Sequence, residues 1–404
     1  MTLDSMNERT LRILHVIPSL SLRHGGPSSA LPLMERALRA AGSEVTVATT
    51  DDDGPGARIG VSLGCPLAVN GACRYYFRKQ TEFYKYSFPL ARWLDTHVAE
   101  FDVIHVHALF SHASVAGARA AWRHRIPYVV RPLGVLNRYG MERRRALLKH
   151  LSFRWVELPI LKRAAQIHYT SQQEKLEAEA LGRFAEGMVL PLGIDIDAFQ
   201  GPLDIVPFLK RWPQAVDQKV ILFLSRLDPK KGLEILIEAV AEMKKVDSRV
   251  LLVVAGAGER EYVASLERLV EQRGLVPDVL WTGHLSGEMK RSALGLAGVF
   301  VLPSESENFG LAAVEALAAG APTILTRGVG ISADVEKAKA GLVVDRNPSA
   351  LAKAILTVLS DSAIAGLLSA NGRAFSRERF SLQVMGLGLH ELYGRALEVG
   401  VRAA

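Results

Sequence analysis

The sequence predicts an α/β protein of two domains, each built around a parallel sheet. Three observations carry this reading. A length of 404 residues suits two domains of ordinary size. Apolar runs of strand length alternate with helical stretches. They open with RILHVIP (12–18), a helix over about 30–41 and a strand over 44–49, and this β-α-β succession implies parallel pairing. A second series starts afresh at VILFLSRLDPKKGLEILIEAV, after an irregular, proline-bearing stretch. The expected boundaries are a first domain over 1–198, a linker over 199–217, a second domain over 218–381 and a terminal helix within 382–404.

Composition narrows the class. With 49% hydrophobic and 23% charged residues the chain reads as an ordinary soluble globular protein. It has no run of about 18 apolar residues, so no membrane span is expected. The opening MTLDSMNERTLRILHVI lacks the basic start and apolar core of a signal peptide. Two cysteines, Cys65 and Cys73, are too few for a metal cage or a disulfide framework, and a cytoplasmic setting fits. The net charge of +7 belongs to the first half: residues 1–200 carry 25 Lys and Arg against 19 Asp and Glu, residues 201–404 carry 24 against 23. That excess favours an anionic partner for the first domain.

In the first domain, Gly25 and Gly26 stand between the first strand and its helix. Glycines there form a plain tight turn or let the backbone approach a ligand, and Ser28 is placed to cap the helix. DDDG (51–54) reads as a solvated turn before a metal site. FDVIHVH (101–107) is a strand with His105 and His107 on one face, and His107 is nearer the carboxyl end, where ligands sit in open α/β sheets. Too few other ligands are spaced nearby to argue for zinc. A strand over 126–130 leads into a loop holding Arg131, Pro132-Leu133-Gly134 and Asn137. MERRRALLKHLSFRWVELPILKRAA then mixes Arg143, Arg144, Arg145, Lys149 and Arg154 with Leu147, Leu148, Leu151, Phe153 and Trp155. Such a helix lies at an anionic membrane surface or packs its apolar stripe on the sheet, and both readings stand. No nucleic-acid-binding module accompanies the charge. QIHYTS (166–171) and MVLPLG (188–193) complete the domain.

In the second domain a strand ends near Ser225, and Arg226 and Lys231, with Lys230 beside it, flank a turn before a helix. Two cations at a strand end and a helix start suit a diphosphate. LLVVAGAGERE (251–261), with Gly256, and VLWTGHLSGEMK, with Gly283 and His284, are strand-and-turn units. VFVLPSESENFGLAAVEALAAG (299–320) is a strand, a polar loop and a small-residue helix stopped by Gly320. The amides at its start, near Gly310 and Leu311, point at any anion lying there. Glu307 lies in the loop, and Glu315 lies in a helix apolar on all sides, where a carboxylate needs a partner: an internal salt bridge or cap, or the hydroxyls of a ligand.

Glu307 and Glu315, with seven residues between them, resemble the E-x7-E signature of retaining glycosyltransferase family 4. The glycine loop, the H-x-H strand and S-R-L-x-x-x-K-G at 225–232 extend the resemblance over nearly the whole chain. It departs where relatives often show Pro-His-Gly and Pro-Asn-Gly and this chain has Pro132-Leu133-Gly134 and Pro191-Leu192-Gly193. The resemblance implies the GT-B fold, two Rossmann-like domains facing each other across a cleft, with the terminal helix packing back on the first. It implies transfer of a sugar from a nucleoside-diphosphate sugar to an acceptor hydroxyl with retention, without metal or other cofactor. The donor side would comprise Gly25, Gly26, Arg226, Lys231, Gly256, His284, Glu307, Asn308, Phe309, Gly310, Leu311 and Glu315, with Arg226 and Lys231 on the phosphates, Glu307 on the sugar and Glu315 on the ribose. His107 would sit over the transferred sugar, and His112, Arg131 and Asn137 would lie on the acceptor side. Bacterial exopolysaccharide or lipopolysaccharide assembly at the inner face of the cell membrane is the implied setting. A nucleotide-sugar epimerase or a non-catalytic assembly partner of the same fold are the alternatives. A dinucleotide oxidoreductase is disfavoured by the missing G-x-G-x-x-G.

Overall fold

The computed structural model describes residues 10–21, 23, 25–137, 141, 146–246 and 249–403. The amino-terminal segment and Arg143, Arg144 and Arg145, read above from sequence, lie outside the described residues. The chain forms two units, 1–193 with 382–404, and 194–381.

Unit 1 is organised on β1 (Arg12–Ser19), β2 (Glu44–Thr50), β3 (Pro66–Val69), β4 (Ala72–Phe77), β5 (Val103–His107), β6 (Tyr128–Arg131), β7 (Gln166–Tyr169) and β8 (Gly187–Val189). Their order is β3-β4-β2-β1-β5-β6-β7-β8. Neighbours are parallel except the β3–β4 hairpin. That hairpin turns on Asn70-Gly71, both with positive φ, the backbone that matches strand twist across a two-residue turn. It is absent from the strands expected above, although the Asn-Gly pair is its sequence signal. One face of the sheet is apolar: Leu14, Val16, Ile104, Val106, Val130 and Ile167 pack with Leu90 and Leu94 of helix Phe88–His97 and with Ala113, Ala118 and Ala121 of helix His112–Arg123. Helix Gly26–Ala40 and the terminal helix Leu382–Ala403 pack on each other, and a Cβ at Gly386 would come within 2.9 Å of the Ala37 carbonyl oxygen. Only a residue without a side chain permits that crossing.

Three local expectations change in unit 1. The first helix begins at Gly26, with a proline in its first turn, and Ser28 does not cap it. Its hydroxyl donates to Ser19 O at 3.5 Å instead. Arg131 ends β6 and is not in the loop beyond it. DDDG is no solvated turn. Asp51 and Asp52 are buried, and Asp52 is paired with Lys79 at 2.7 Å and with Lys85. Both lysines come from a segment 27 and 33 residues further along the chain, which no local pattern at 51–54 could announce.

Unit 2 is built on β9 (Lys219–Leu224), β10 (Val250–Ala255), β11 (Val279–Gly283), β12 (Val299–Leu302), β13 (Thr323–Thr326) and β14 (Leu342–Val344), in the order β11-β10-β9-β12-β13-β14, all parallel. Strands buried on both sides, such as β10, are continuous apolar runs for that reason. The order reverses between β9 and β12, so a crevice opens beyond their carboxyl ends. The segment 199–217, expected to be a linker, is packed into this unit. Helix Val206–Arg211 buries Phe208, whose amide donates to Ser292 Oγ at 3.1 Å, and the Phe208 and Trp212 rings lie 4.5 Å apart. Its prolines begin short helices and do not mark a flexible tether.

Candidate functional site

At the switch point of unit 2, four loops are fastened to one another, three through the backbone and the fourth through the Arg346 side chain. After β9, Asp228 caps the turn Pro229–Lys231 by accepting from the Lys230 amide at 3.1 Å, and Gly232, φ 69°, passes the chain into helix Leu233–Lys244. After β12, Glu305 N donates to Lys230 O at 2.7 Å. Glu307 is held like a strand residue, its amide on Gly328 O and its carbonyl accepting from Gly330 N, both at 2.8 Å. Arg346, beyond β14, donates to Pro303 O at 3.3 Å. Side chains in such loops are positioned by the sheet and not by their own rotamer preferences.

This framework brings Lys231 onto the Glu307 carboxylate as an ion pair. Arg226 is exposed, whereas Lys231 is buried. Burial first, then the Lys230 and Arg226 cations, push the Lys231 ammonium down to about 7, while Asp228 and the touching Glu307 carboxylate work against this. Burial and Arg226 also lower Lys230. Three cations with partial compensation therefore crowd the end of β9, an arrangement that an added diphosphate would relieve. The helix Leu311–Ala319 starts beside them from Gly310, φ 98°; the Leu311 and Ala312 amides have no intrahelical acceptor, whereas Ala313 N donates to Gly310 O at 2.9 Å.

That helix is not buried all round. Leu311, Ala312 and Glu315 are partly open and share one side, while Ala313, Val314, Ala316 and Leu317 are buried. Glu315 has a partner that its sequence surroundings did not announce: Lys290, on helix Gly287–Leu296, sits 2.5 Å from its Oε1. One carboxylate oxygen is so occupied, one turn in from the helix start. Phe309 is a packing residue, buried with its ring 5.7 Å from Phe380 and nearly perpendicular to it, so only its backbone faces the loop. Gly256 donates to Gly283 O at 2.8 Å, and a Cβ on it would stand 1.9 Å from Ser225 O. Its glycine is demanded by loop packing. His284 is exposed just beyond Gly283, and Asn308 is half-buried.

In unit 1, Gly25, φ 76°, and Gly26 follow β1. His112 opens its helix half-buried, its Nδ1 accepting from Ser87 N at 3.2 Å and its ring 4.1 Å from Tyr86. Asn137 is partly exposed. His107 and Arg131 are different: both are buried, on the sheet face opposite the apolar cluster. There β1, β5 and β7 contribute His15, His105, His107 and His168, and β6 contributes Arg131. His168 Nε2 lies 2.9 Å from Leu190 O and therefore carries the proton. Its Nδ1 then accepts from His105 Nε2 at 3.4 Å, and His105 Nδ1 accepts from Tyr393 Oη at 2.9 Å. His15 Nδ1 and His107 Nε2 share a proton at 2.7 Å. Nitrogens of His15, His105 and His107 lie within 4.8 Å of one another, a spacing at which a metal can be held. The Arg131 guanidinium in the same layer makes a further cation costly there. Arg131 is thus an interior cation, unavailable to an acceptor, and a sugar-facing role for His107 rests on resemblance alone.

Two family models match the chain, "Glycosyl transferase 4-like domain" over residues 25–193 and "Glycosyl transferases group 1" over 208–375. Among curated relatives, a GDP-mannose-dependent alpha-(1-6)-phosphatidylinositol monomannoside mannosyltransferase of Mycolicibacterium smegmatis is 29% identical over 223 residues, 53% of this chain and 58% of that protein. A D-inositol 3-phosphate glycosyltransferase of Geodermatophilus obscurus is 34% identical over 204 residues, 48% of this chain and 44% of that protein. The chain spans about half the length of the curated relatives it matches. Among solved structures, Anabaena HepE in complex with UDP and glucose superimposes with a TM-score of 0.76 at 20% identity, covering 94% of this chain and 98% of that one. Sucrose-phosphate synthase from Thermosynechococcus elongatus gives 0.77 at 22%, covering 96% and 100%. At such identities these two share the fold. With one family model on each unit, and two parallel sheets of matching fold, the chain belongs to the GT-B glycosyltransferases of the family-4 type.

Proposed function

We propose that this protein moves a sugar from a nucleoside-diphosphate sugar to a hydroxyl of a saccharide or lipid-linked acceptor, with retention at the anomeric carbon and without a metal. The observation that carries this is the meeting of Arg226, Lys230 and Lys231 with Glu307 and the start of helix Leu311–Ala319 at the end of β9 and β12. Charge developing on the leaving diphosphate is stabilised there by fixed cations and oriented amides, the task a metal performs elsewhere. Glu307 takes sugar hydroxyls, and the second oxygen of Glu315 takes the ribose while Lys290 holds the carboxylate in orientation. The leaving phosphate accepts the acceptor's proton, so no protein nucleophile is assigned. A lipid-linked acceptor is supported by the relative named for phosphatidylinositol monomannoside, a small phosphorylated one by the relative named for D-inositol 3-phosphate, and bacterial surface-glycan assembly is part of this proposal. The protein then works in the cytoplasm at the inner face of the membrane.

Calorimetry with nucleoside diphosphates tests the assignment. Arg226→Ala and Lys231→Ala should each weaken binding by about 1.5–3 kcal/mol, the range for charge-assisted hydrogen bonds. Unchanged binding in both would sink it. Transfer should survive EDTA; loss restored by Mn²⁺ would overturn the metal-free step. Turnover of donor without any acceptor would point to an epimerase.

A further inference from the structure

The segment Ala146–Glu157 packs Phe153 and Val156 against the apolar cluster of unit 1 but leaves a second apolar stripe to solvent. Leu147 is 75% exposed, Leu148 51%, Leu151 49% and Trp155 72%. Leu147 and Leu151 are one helical repeat apart, and Trp155 follows at the same spacing through the π-helical turn Phe153–Glu157. That turn also buries Glu157, whose carboxylate accepts from the Tyr84 hydroxyl, and Tyr84 Oη lies 3.1 Å from Ser152 Oγ. Tyr84 therefore clamps a second element against the helix, the loop 81–88. Here Phe83 is 61% exposed, Tyr86 42% and Phe88 55%. The loop is not loose. Tyr84 and Lys85 hold positive φ, Lys79 and Lys85 anchor it on buried Asp52, and Tyr84 O accepts from His112 N at 2.7 Å. Seven large apolar or aromatic side chains thus project to solvent from two adjoining elements that are rigidly tied behind them. Scattered exposed apolar residues need no explanation, but a fixed group of this kind marks an interaction surface.

We propose that this surface docks the protein on an anionic lipid bilayer, Phe83, Phe88, Leu147, Leu151 and Trp155 entering the headgroup–acyl boundary. Charge selects this occupant. Residues 119–163 hold twelve Lys and Arg, of which Arg131 is interior, and only two acids, Glu142 and the buried Glu157, while the acid of the adjoining loop, Glu82, is paired with Lys79 at 2.8 Å. Arg154 is exposed and stands 5.8 Å over the Trp155 ring. Aromatic and aliphatic side chains ringed by Lys and Arg are the chemistry of an interfacial helix attracted to anionic headgroups. No single helix among the described residues is long and apolar enough to cross a membrane, so the contact is peripheral. The inference names the membrane-facing surface of the proposed transferase, and it stands or falls without the donor chemistry.

The test is flotation of the full-length protein with vesicles of phosphatidylcholine alone or with about one-third phosphatidylglycerol, the anionic charge being what the basic segment attracts. The wild type should float with the anionic vesicles, and the bound fraction should fall in high salt as surface charge is screened. Leu147→Ser/Leu151→Ser/Trp155→Ser and Phe83→Ser/Phe88→Ser change exposed side chains. Each set should cut the bound fraction at least fivefold while leaving nucleoside-diphosphate binding in calorimetry unchanged, which also verifies the fold. Absence of wild-type flotation, or flotation of both sets equal to the wild type, overturns the proposal. Loss of a dimer in place of loss of flotation would do the same, assigning the surface to a second copy of the chain.

Discussion

Acidification from pH 7.5 to 5.5 should remove about 3–5 kcal/mol of stability from unit 1, a large share of the roughly 5–15 kcal/mol that holds a domain together. The cause is the layer of four histidines under helices Gly26–Ala40 and Leu382–Ala403. Burial, then the Arg131 cation, push His15 and His168 down to about 3. Burial and the neighbouring histidines hold His105 and His107 well below their ordinary value. The native layer stays neutral while the unfolded chain begins to bind protons below about pH 6.5. Stability present above that pH is therefore lost as pH falls, at about 1.4 kcal/mol per histidine by about pH 5.5. Buried Glu35, Glu157 and Glu174 act in the opposite sense. Burial raises their carboxyl groups, so the native state takes their protons first and recovers part of the loss. Half-buried His390, lowered by burial and 2.8 Å from Ser43, adds to it. Urea unfolding at pH 7.5, 6.5 and 5.5 measures the effect, and hydrogen exchange localises it. Amides of β1, β5, β6 and β7 should open before those of β9 and β10, because unit 2 has only the exposed His284. A flat profile between pH 7.5 and 5.5 would contradict the neutral layer.

The second large effect is expected at Gly232. A side chain in its left-handed backbone costs about 1–2 kcal/mol by itself. Here its Cβ would also stand 2.3 Å from Pro303 O, at the junction where the loops after β9 and β12 meet. Either loop must move, and Lys231 and Glu307 ride on them. Gly232→Ala should weaken nucleoside-diphosphate binding more than about tenfold and lower the stability of the chain by at least about 3 kcal/mol, adding steric displacement to the conformational term. Gly274→Ala is the control, since Gly274 has φ 66° and nothing lies within 4 Å of the place an added methyl group would take. It should show the conformational term only and leave ligand binding intact. Equal behaviour of the two variants would remove the proposed role of the junction.

The sequence alone determined the architecture and placed the candidate residues of unit 2 at strand ends and a helix start. Alternation of apolar strands and helices implied two parallel sheets because a crossover helix is what joins parallel neighbours. Arg226, Lys231, Glu307 and the helix start were legible because each lies within a few residues of a strand end, so local spacing already places it. Even the hairpin at Asn70-Gly71 was written locally. The tertiary structure decided what depends on residues distant in the chain. Lys290 reaches Glu315 across 25 positions, and Lys79 and Lys85 reach Asp52 across 27 and 33. His15, His105, His107 and His168 become one layer only when β1, β5 and β7 enter the same sheet, and that layer turns His107 and Arg131 inward. The outward stripe of Leu147, Leu151 and Trp155 was decided in the same way. A helical period says which residues share a face, and only the packing of Glu157 beneath Tyr84 says which face meets water.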